Sequence, residues 1–384
     1  MGILYLDHCA TTPCHKEVME VMLKYFNSEF GNPSSLHFYG KKALHAVNNA
    51  SRQVAEIIGA HTEEITFTSG ATESNNLFLL GLYEWLNRVN GNIILCPIDH
   101  KSTLEVGKEL QRRGIDVRYG RVDAKGQIDI NFLMDLIDQN TKLLSISLVN
   151  SELGVIQDIK TLSSICNAKN ILLHVDAVQA IGKIPVDVKK MKVDALSLSG
   201  HKIYGPKGIG ALFIDRSVKH LVKPLMFGGG QDVLRSGTLP TPLIVGLGHA
   251  CSLAQKQIDE HHTKVINLRQ AFIKALREEL VTFEFNNDIS ISIPHVLNIR
   301  IPNVSSETLV LGLGDVAISS GSACNSNSLE PSYVLTSIGL SEEEANNSIR
   351  ICLSPDLTNE QIKTAVKILG KKIKNITQLQ GEFV

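Results

Sequence analysis

A lysine in a loop rich in glycine and proline is the first feature of this 384-residue sequence that points to chemistry. Lys202 lies in the run 199–208, directly after the β-rich segment 195–198. Small neighbours in a rigid loop would partly desolvate the amine, which lowers the pKa of a lysine and frees the amine for imine formation. The run lacks the GxxxxGK[ST] pattern, so a nucleotide-binding phosphate loop is not predicted.

A second candidate site follows the β-rich segment 65–68. The run 69–74 is Ser-Gly-Ala-Thr-Glu-Ser and opens a predicted helix. Free amide groups at a helix N-terminus bind anions, and three hydroxyl side chains add donors. The alternative is a plain helix cap made by Thr72 or Ser74.

Polar residues also follow three other predicted strands. His100 comes after segment 92–96, where a lone histidine is commonly structural or solvated. Asp176 emerges from the apolar segment 171–175, so its carboxylate needs a cationic or N–H partner unless it caps the next helix. The run 149–154 fits either a ligand contact or a turn.

Together these residues meet the requirements of one cofactor. Pyridoxal phosphate needs an anion site, a side chain against its ring, a carboxylate that keeps the ring nitrogen protonated, and a lysine amine. The ends of successive parallel strands meet at one edge of a sheet, where ligands bind. The sequence therefore predicts a pyridoxal phosphate site.

The elements that must position these residues alternate strand and helix. Between residues 65 and 214 short β-rich runs alternate with helical patterns, which predicts a mostly parallel sheet covered on both faces. The predicted strands are 65–68, 92–96, 117–119, 143–148, 171–175, 195–198 and 210–214. After about residue 242 a long helical stretch and scattered strands predict a second, smaller α+β domain.

Composition excludes several classes of protein. Lys and Arg number 38 against 39 Asp and Glu, a net charge of −1, so no nucleic-acid binding is expected. No apolar run has the roughly 18 residues of a membrane helix. The N-terminus carries Asp7 and His8 where a signal peptide would be apolar, so the cytoplasm is the expected location.

The seven cysteines are scattered and odd in number, which argues against a disulfide framework. No CxxC pair exists, so no metal site is predicted. Cys324 lies in a small, polar, glycine-containing stretch, 319–328, which predicts an exposed and mobile nucleophile rather than a buried structural thiol.

Several motifs in order resemble those of the NifS/IscS-like cysteine desulfurases, which are fold-type-I pyridoxal phosphate enzymes. The match runs nearly end to end, from Tyr5 to Arg350. The matching motifs are 5–7, 10–13, 31–35, 69–73, 176–179, 199–202, 228–231, 235–238, 319–324 and 348–350. The resemblance implies a large cofactor-binding domain over 12–250 and a small domain formed by 1–11 with 251–384.

The resemblance also implies residue roles, a homodimer and a sulfur-acceptor protein. Lys202 would hold the cofactor covalently, Asp176 would pair with the ring nitrogen, and His100 would stack on the ring and serve as acid or base. Gln179 would reach the ring oxygen, and Ser151 stands where the family usually has an asparagine that meets the cofactor. The phosphate would be bound by Ala71, Thr72, Ser199, His201 and Thr238 of the partner subunit. The substrate carboxylate would be held by Asn32 and Arg350.

The implied reaction is removal of sulfur from L-cysteine, giving L-alanine and a persulfide on Cys324. The alternatives are a selenocysteine lyase, another pyridoxal phosphate enzyme such as an aminotransferase, or a sulfur-relay scaffold without catalysis. The acceptor is left open among iron–sulfur cluster assembly, tRNA thiolation and DNA phosphorothioation. The chain ends at Val384, short of most of the tail with which housekeeping enzymes dock their scaffold, so a dedicated acceptor is expected.

Overall fold

The computed structural model describes residues 2–230, 233–280, 282–320 and 330–381. The strands are β1 (Leu4–Tyr5), β2 (Ile65–Thr68), β3 (Asn92–Leu95), β4 (Val117–Tyr119), β5 (Thr141–Ser147), β6 (Leu172–Asp176), β7 (Ala195–Ser199), β8 (Gly210–Ile214), β9 (Met226–Gly230), β10 (Arg235–Gly237), β11 (Glu284–Phe285), β12 (Val296–Arg300), β13 (Val316–Ala317), β14 (Ser319–Ser320) and β15 (Ser348–Cys352). The helices are α1 (Lys16–Asn27), α2 (Phe38–Ile58), α3 (Ala71–Gly81), α4 (Tyr83–Arg88), α5 (Lys101–Arg112), α6 (Ile130–Leu136), α7 (Ile159–Lys169), α8 (Val188–Met191), α9 (Thr241–Glu279), α10 (Ser306–Gly312), α11 (Tyr333–Ser337), α12 (Glu342–Asn346) and α13 (Asn359–Gly381).

A seven-stranded sheet in the order β2-β8-β7-β6-β5-β3-β4 forms the centre of the fold. The pairs within β7-β6-β5-β3-β4 are parallel, while β8 runs antiparallel to both of its neighbours. The seven strands predicted from the sequence are all present, with ends shifted by at most two residues. A mostly parallel sheet is therefore confirmed, with β8 as its one reversed strand.

Helices cover both faces of this sheet, as its fully buried strands require. On one face α3, α4 and α5 pack through residues such as Phe78, Leu86 and Leu110. On the other face α2, α7 and the first half of α9 enclose a larger core. The two layers hold the carboxyl ends of the parallel strands at one open edge.

A second, smaller sheet has the antiparallel order β11-β12-β15-β14. It packs with α10, α13 and the second half of α9 around a separate core that includes Leu6, Phe272 and Ile349. Because α9 has 39 residues, one helix contributes to both cores. Strand β1 pairs with β13, which brings the N-terminal segment to this region. The domain boundaries stay a prediction.

None of the helices in the described ranges is both long and apolar enough to span a membrane.

Candidate active site

A cavity of about 550 Å³ lies beyond the carboxyl ends of β3, β5, β6 and β7. This volume lies in the range of small-molecule sites. Most of the residues that the sequence singles out line it: Ala71, Thr72, His100, Ser151, Asp176, Gln179, Ser199, His201, Lys202 and Arg350. The strand ends thus converge as the alternation of strand and helix predicts.

One wall of the cavity is the N-terminal turn of α3. The residue before the helix is Gly70, with φ of 154°, and no side chain caps the helix. A cap by Thr72 or Ser74 is therefore not present; Thr72 lines the cavity, and the Ser74 hydroxyl lies 2.8 Å from Thr68 Oγ1. The first-turn amides face a site suited to an anion.

Ser199 and His201 complete this wall from the end of β7 and the turn that follows. His201 Nδ1 lies 3.1 Å from the Thr11 hydroxyl. Burial, and then the neighbouring lysines, lower the pKa of His201 to about 4. The imidazole is therefore neutral near pH 7 and can offer a hydrogen bond rather than a charge.

Lys202 extends from a short 3₁₀ turn, Gly200–Lys202, directly after β7. Its Nζ donates to the backbone carbonyls of Cys9 at 2.5 Å and Ala10 at 2.7 Å. Both acceptors belong to the turn after β1, so the N-terminal segment positions the amine within the cavity. The Gln179 amide donates to the same Cys9 carbonyl at 2.9 Å and accepts from Lys183 at 2.8 Å.

Asp176 is the last residue of β6 and is buried. Its Oδ1 accepts from the Val178 amide at 3.0 Å, and its Oδ2 accepts from Asn75 Nδ2 at 2.9 Å. A turn rather than a helix follows this strand, so Asp176 is not a helix cap. A buried carboxylate needs hydrogen-bond donors, and these two N–H groups provide them for Asp176.

His100 precedes α5, and its Nδ1 accepts from the Ser102 amide at 3.1 Å. The Ser102 hydroxyl lies 2.8 Å from the same nitrogen. A ring nitrogen that accepts a backbone N–H carries no proton. The neutral ring therefore holds its proton on Nε2.

Arg350 on β15 is buried and reaches the cavity from the smaller sheet. Its Nη2 donates to Asp7 Oδ1 at 2.8 Å and to the Ser319 hydroxyl at 3.1 Å, and Nη1 donates to the Ser151 carbonyl at 3.1 Å. Burial acts to lower the pKa of Arg350, but its interactions with Cys352, Cys9 and Asp7 outweigh burial, so the pKa is raised. Its buried Nε meets no acceptor in the described part of the chain.

Two predicted residues, Asn32 and Thr238, do not line this cavity within the single chain, and a third cannot be placed. Asn32 is exposed, and its Oδ1 accepts from the Ser34 amide at 2.9 Å. Thr238 is exposed just after β10. Cys324 lies outside the described residues, so its position relative to the cavity stays a prediction.

Three further residues of this site are missing from the sequence-based prediction. Asp7 pairs with Arg350, Asn75 bonds Asp176, and Glu73 accepts from the Ser69 amide at 2.7 Å and from Arg235 at 2.9 Å. Asp7 and Glu73 stand inside motifs that the sequence does single out. A polar Asn75 beside the apolar run 77–80 is a weaker signal of a buried role.

The residues present fit pyridoxal phosphate. The Arg350 side chain, the uncapped first turn of α3, the N–H-bonded Asp176 and the Lys202 amine line one cavity of sufficient volume. The strand wall under the phosphate end is tight, because a Cβ on Gly210 would lie 2.7 Å from the Gly70 Cα.

Comparison with known proteins identifies the family. Residues 4–364 match the family model of class-V aminotransferases. The chain is 42% identical to the cysteine desulfurase IscS of Rickettsia bellii over 378 residues, which cover 98% of this chain and 92% of that protein. The chain belongs to the NifS/IscS-like cysteine desulfurases.

Solved structures agree with this assignment. A NifS-like protein superposes with a TM-score of 0.90 at 34% identity, covering 98% of this chain and all of that one. SspA, solved in complex with cysteine, superposes with a TM-score of 0.81 at 38% identity, covering 92% and 99% of the two chains. The predicted fold class, a fold-type-I transferase, is confirmed. Members of this desulfurase family depend on pyridoxal phosphate.

Proposed function

We propose that this NifS/IscS-like desulfurase removes sulfur from L-cysteine with pyridoxal phosphate in the cavity, and that Cys324 receives the sulfur. The observation that carries the proposal is the convergence of Lys202, Asp176, His100 and Arg350 on one cavity from separate elements. Together these four supply an amine, a carboxylate, a proton donor and a carboxylate-binding guanidinium.

The cofactor would be held at both ends. Its phosphate would lie against Ala71, Thr72, Ser199 and His201, joined by Thr238 of the partner subunit. Asp176 would pair with the ring nitrogen, and Gln179 and Ser151 would line the ring. When bound, pyridoxal phosphate supplies an electrophilic carbon for amines and a ring that takes up the electron pair released at the substrate Cα.

The chain's own residues then bind substrate and move protons. Arg350, which lines the cavity, would hold the substrate carboxylate with its guanidinium. Asn32 would have to reach the carboxylate from its exposed loop. The Lys202 amine would accept the Cα proton, and the carbonyls of Cys9 and Ala10 orient that amine. His100, with its proton on Nε2, would act as a proton donor.

The sulfur transfer needs no external oxidant, because the substrate carbon gains the electrons that the two sulfur atoms lose when they bond. The Cys324 thiolate attacks the substrate sulfur, an S–S bond forms as the C–S bond breaks, and the electron pair of that bond stays with the substrate Cβ, which is protonated to give L-alanine. Cys324 keeps the sulfur as a persulfide, which then passes to a thiol of an acceptor protein. The cytoplasmic location and the identity of that acceptor stay predictions.

We also infer a homodimer. Leu36, Phe38, Phe227 and Val233 are large apolar side chains that are 66–88% exposed. Two of them lie at or near β9 and β10, and β10 reaches the cavity wall through the Arg235–Glu73 ion pair. Large exposed apolar side chains on two short segments, Leu36 with Phe38 and Phe227 with Val233, indicate an interface. Light scattering measures the molar mass in solution. We expect the mass of a dimer for the wild-type protein and a lower mass for Phe227→Asp.

The test of the activity measures sulfide and L-alanine together after L-cysteine and a thiol reductant are added. We expect equal amounts of both from the wild-type protein, neither from Cys324→Ser, and wild-type amounts from Cys14→Ser, which also loses one thiol. Lys202→Ala should lose the borohydride-reducible linkage at residue 202.

Other outcomes would redirect the proposal. A protein with a cofactor absorption band that releases neither product would contradict the substrate, and selenocysteine and amino-group transfer would be measured next. A protein that stays colourless with added cofactor would contradict the whole catalytic assignment and favour a sulfur-relay scaffold.

A further inference from the structure

Four side chains form a hydrogen-bonded line beside the cavity, from Asp176 through Asn75 and Ser102 to His100. Asn75 Nδ2 lies 2.9 Å from Asp176 Oδ2 and 2.9 Å from the Ser102 hydroxyl. The Ser102 hydroxyl lies 2.8 Å from His100 Nδ1. Asn75 is completely buried, and Ser102 and Asp176 are buried at the edge of the cavity, so water has little access to these contacts.

The direction of each hydrogen bond follows from the donors available. The Asn75 amide has two hydrogens, and one can go to the Asp176 carboxylate and the other to the Ser102 oxygen. Ser102 Oγ therefore accepts from Asn75, which leaves its own hydrogen for His100 Nδ1. The backbone amide of Ser102 also donates to that nitrogen. The result is a ring with its proton on Nε2.

The orientation of the Asn75 amide is fixed by charge. Rotating it by half a turn would place its oxygen against the Asp176 carboxylate, where two acceptors repel. In the observed orientation Oδ1 is buried and has no hydrogen-bond partner among the described residues. Buried polar atoms are rarely left unpaired. The unpaired Asn75 Oδ1 is therefore an energetic cost, and the two hydrogen bonds donated by Nδ2 offset it.

We propose that Asn75 is a positioning residue that fixes two groups at once: the carboxylate of Asp176 and, through Ser102, the proton of His100. The inference rests on the proposed function, in which Asp176 meets the cofactor ring nitrogen and His100 donates a proton. Asn75 lies on α3 and Ser102 on α5. The packing of these two helices therefore fixes the position of the Asp176 carboxylate relative to the His100 ring.

The test uses purified holoenzyme and measures the pH midpoint of the cofactor absorption band, the cofactor dissociation constant, and kcat and KM for L-cysteine. Asn75→Ala removes one of the N–H donors to Asp176, so we expect cofactor binding to weaken about tenfold or more. The band's pH midpoint should move by more than about half a unit. Asn75→Asp keeps the shape but replaces a donor by an acidic group, and it should move the midpoint as well.

Ser102→Ala separates the two halves of the proposal, because it leaves the Asn75–Asp176 contact intact. We expect unchanged cofactor binding and pH midpoint but a lower kcat, by up to about tenfold, with KM retained, because only the Ser102 backbone amide then holds His100 Nδ1. The matched control is Asn76→Ala, the next residue of α3, whose amide donates to the Thr72 carbonyl at 2.8 Å. It should leave the midpoint and the cofactor affinity at wild-type values.

Wild-type cofactor affinity and pH midpoint in both Asn75 variants would overturn the inference, as would equal effects of Asn76→Ala. Failure of the proposed function is separate, because the wild-type protein would then show no cofactor band or no sulfide release before any variant is compared.

Discussion

Asp7 and Arg350 form an ion pair of 2.8 Å between chain segments that lie 343 residues apart. Asp7 follows β1, and Arg350 is buried at the centre of β15. The pair brings the N-terminal turn, whose carbonyls contact Lys202, next to the guanidinium that faces the cavity. The Asp7–Arg350 contact thus helps to position both the Lys202 amine and the Arg350 guanidinium.

Replacing Asp7 by asparagine should destabilise the protein. The variant leaves a buried guanidinium without its carboxylate, and breaking such a pair costs about 3–5 kcal/mol. We expect the free energy of unfolding to fall by about 3 kcal/mol, measured as a lower urea midpoint. Glu284→Gln is the control, because Glu284 is exposed and pairs with Arg300 on a neighbouring strand. An unchanged midpoint in Asp7→Asn would contradict this role.

Arg350→Lys tests the geometry of the carboxylate site. A lysine cannot reproduce the planar fork that now contacts Asp7, Ser319 and the Ser151 carbonyl while still offering a donor to substrate. We expect KM for L-cysteine to rise by about tenfold or more. The same exchange at Arg300, on β12 of the same sheet and outside the cavity lining, should leave KM unchanged. Equal KM values in the two variants would argue against Arg350 as the substrate anchor.

The sequence predicts the strands well because each one is a short apolar run, and all seven strands of the large sheet appear where the pattern places them. The apolar pattern does not predict whether a strand runs parallel or antiparallel to its neighbours. Strand β8 is antiparallel because only the ten residues 200–209 separate it from β7, too few for the crossover that parallel pairing requires. The helix predicted after the run 69–74 starts within that run, at Ala71, and is divided at Leu82 into α3 and α4.

The candidate site shows a similar limit. Residues next to strand ends, such as Asp176 and Lys202, can be predicted because the topology of a parallel sheet brings them to one edge. Asp7 and Asn75 act through partners 343 and 101 residues away, and no local pattern encodes such distant contacts. Asn32 and Thr238, both exposed, are assigned by family resemblance alone.

Asp99 should make the stability of the protein depend on pH. Its side chain is buried, Oδ1 accepts from the Ser147 amide at 2.8 Å, and burial raises its pKa to about 8. Between the ordinary carboxyl pKa and pH 8 the folded state therefore binds a proton that the unfolded state has lost. Stability should fall as pH rises through this window.

Asp99→Asn removes that proton equilibrium while keeping the side-chain shape. We expect the variant to lose less stability than wild type between pH 5 and pH 8, by at most about 1.4 kcal/mol per pH unit. Urea unfolding at several pH values measures the slope, and Asp135→Asn, which removes an exposed carboxylate, is the control. Parallel slopes in wild type and Asp99→Asn would show that Asp99 is ionised in the folded protein.

Gly210→Ala tests whether close backbone packing shapes the phosphate end of the cavity. A Cβ at this position would lie 2.6 Å from the Leu198 carbonyl oxygen and 2.7 Å from the Gly70 Cα, so the turn before α3 must move. We expect a loss of about 1–3 kcal/mol in the free energy of unfolding. Cofactor affinity should fall with it, because the moved turn carries the first amides of α3.

The matched exchange is Gly314→Ala, where a Cβ meets nothing within 4 Å. It should leave both the urea midpoint and the cofactor titration at wild-type values. If Gly210→Ala lowers stability but binds the cofactor normally, the turn before α3 is not part of the phosphate site. If it changes neither quantity, the backbone absorbs the added methyl group without moving that turn.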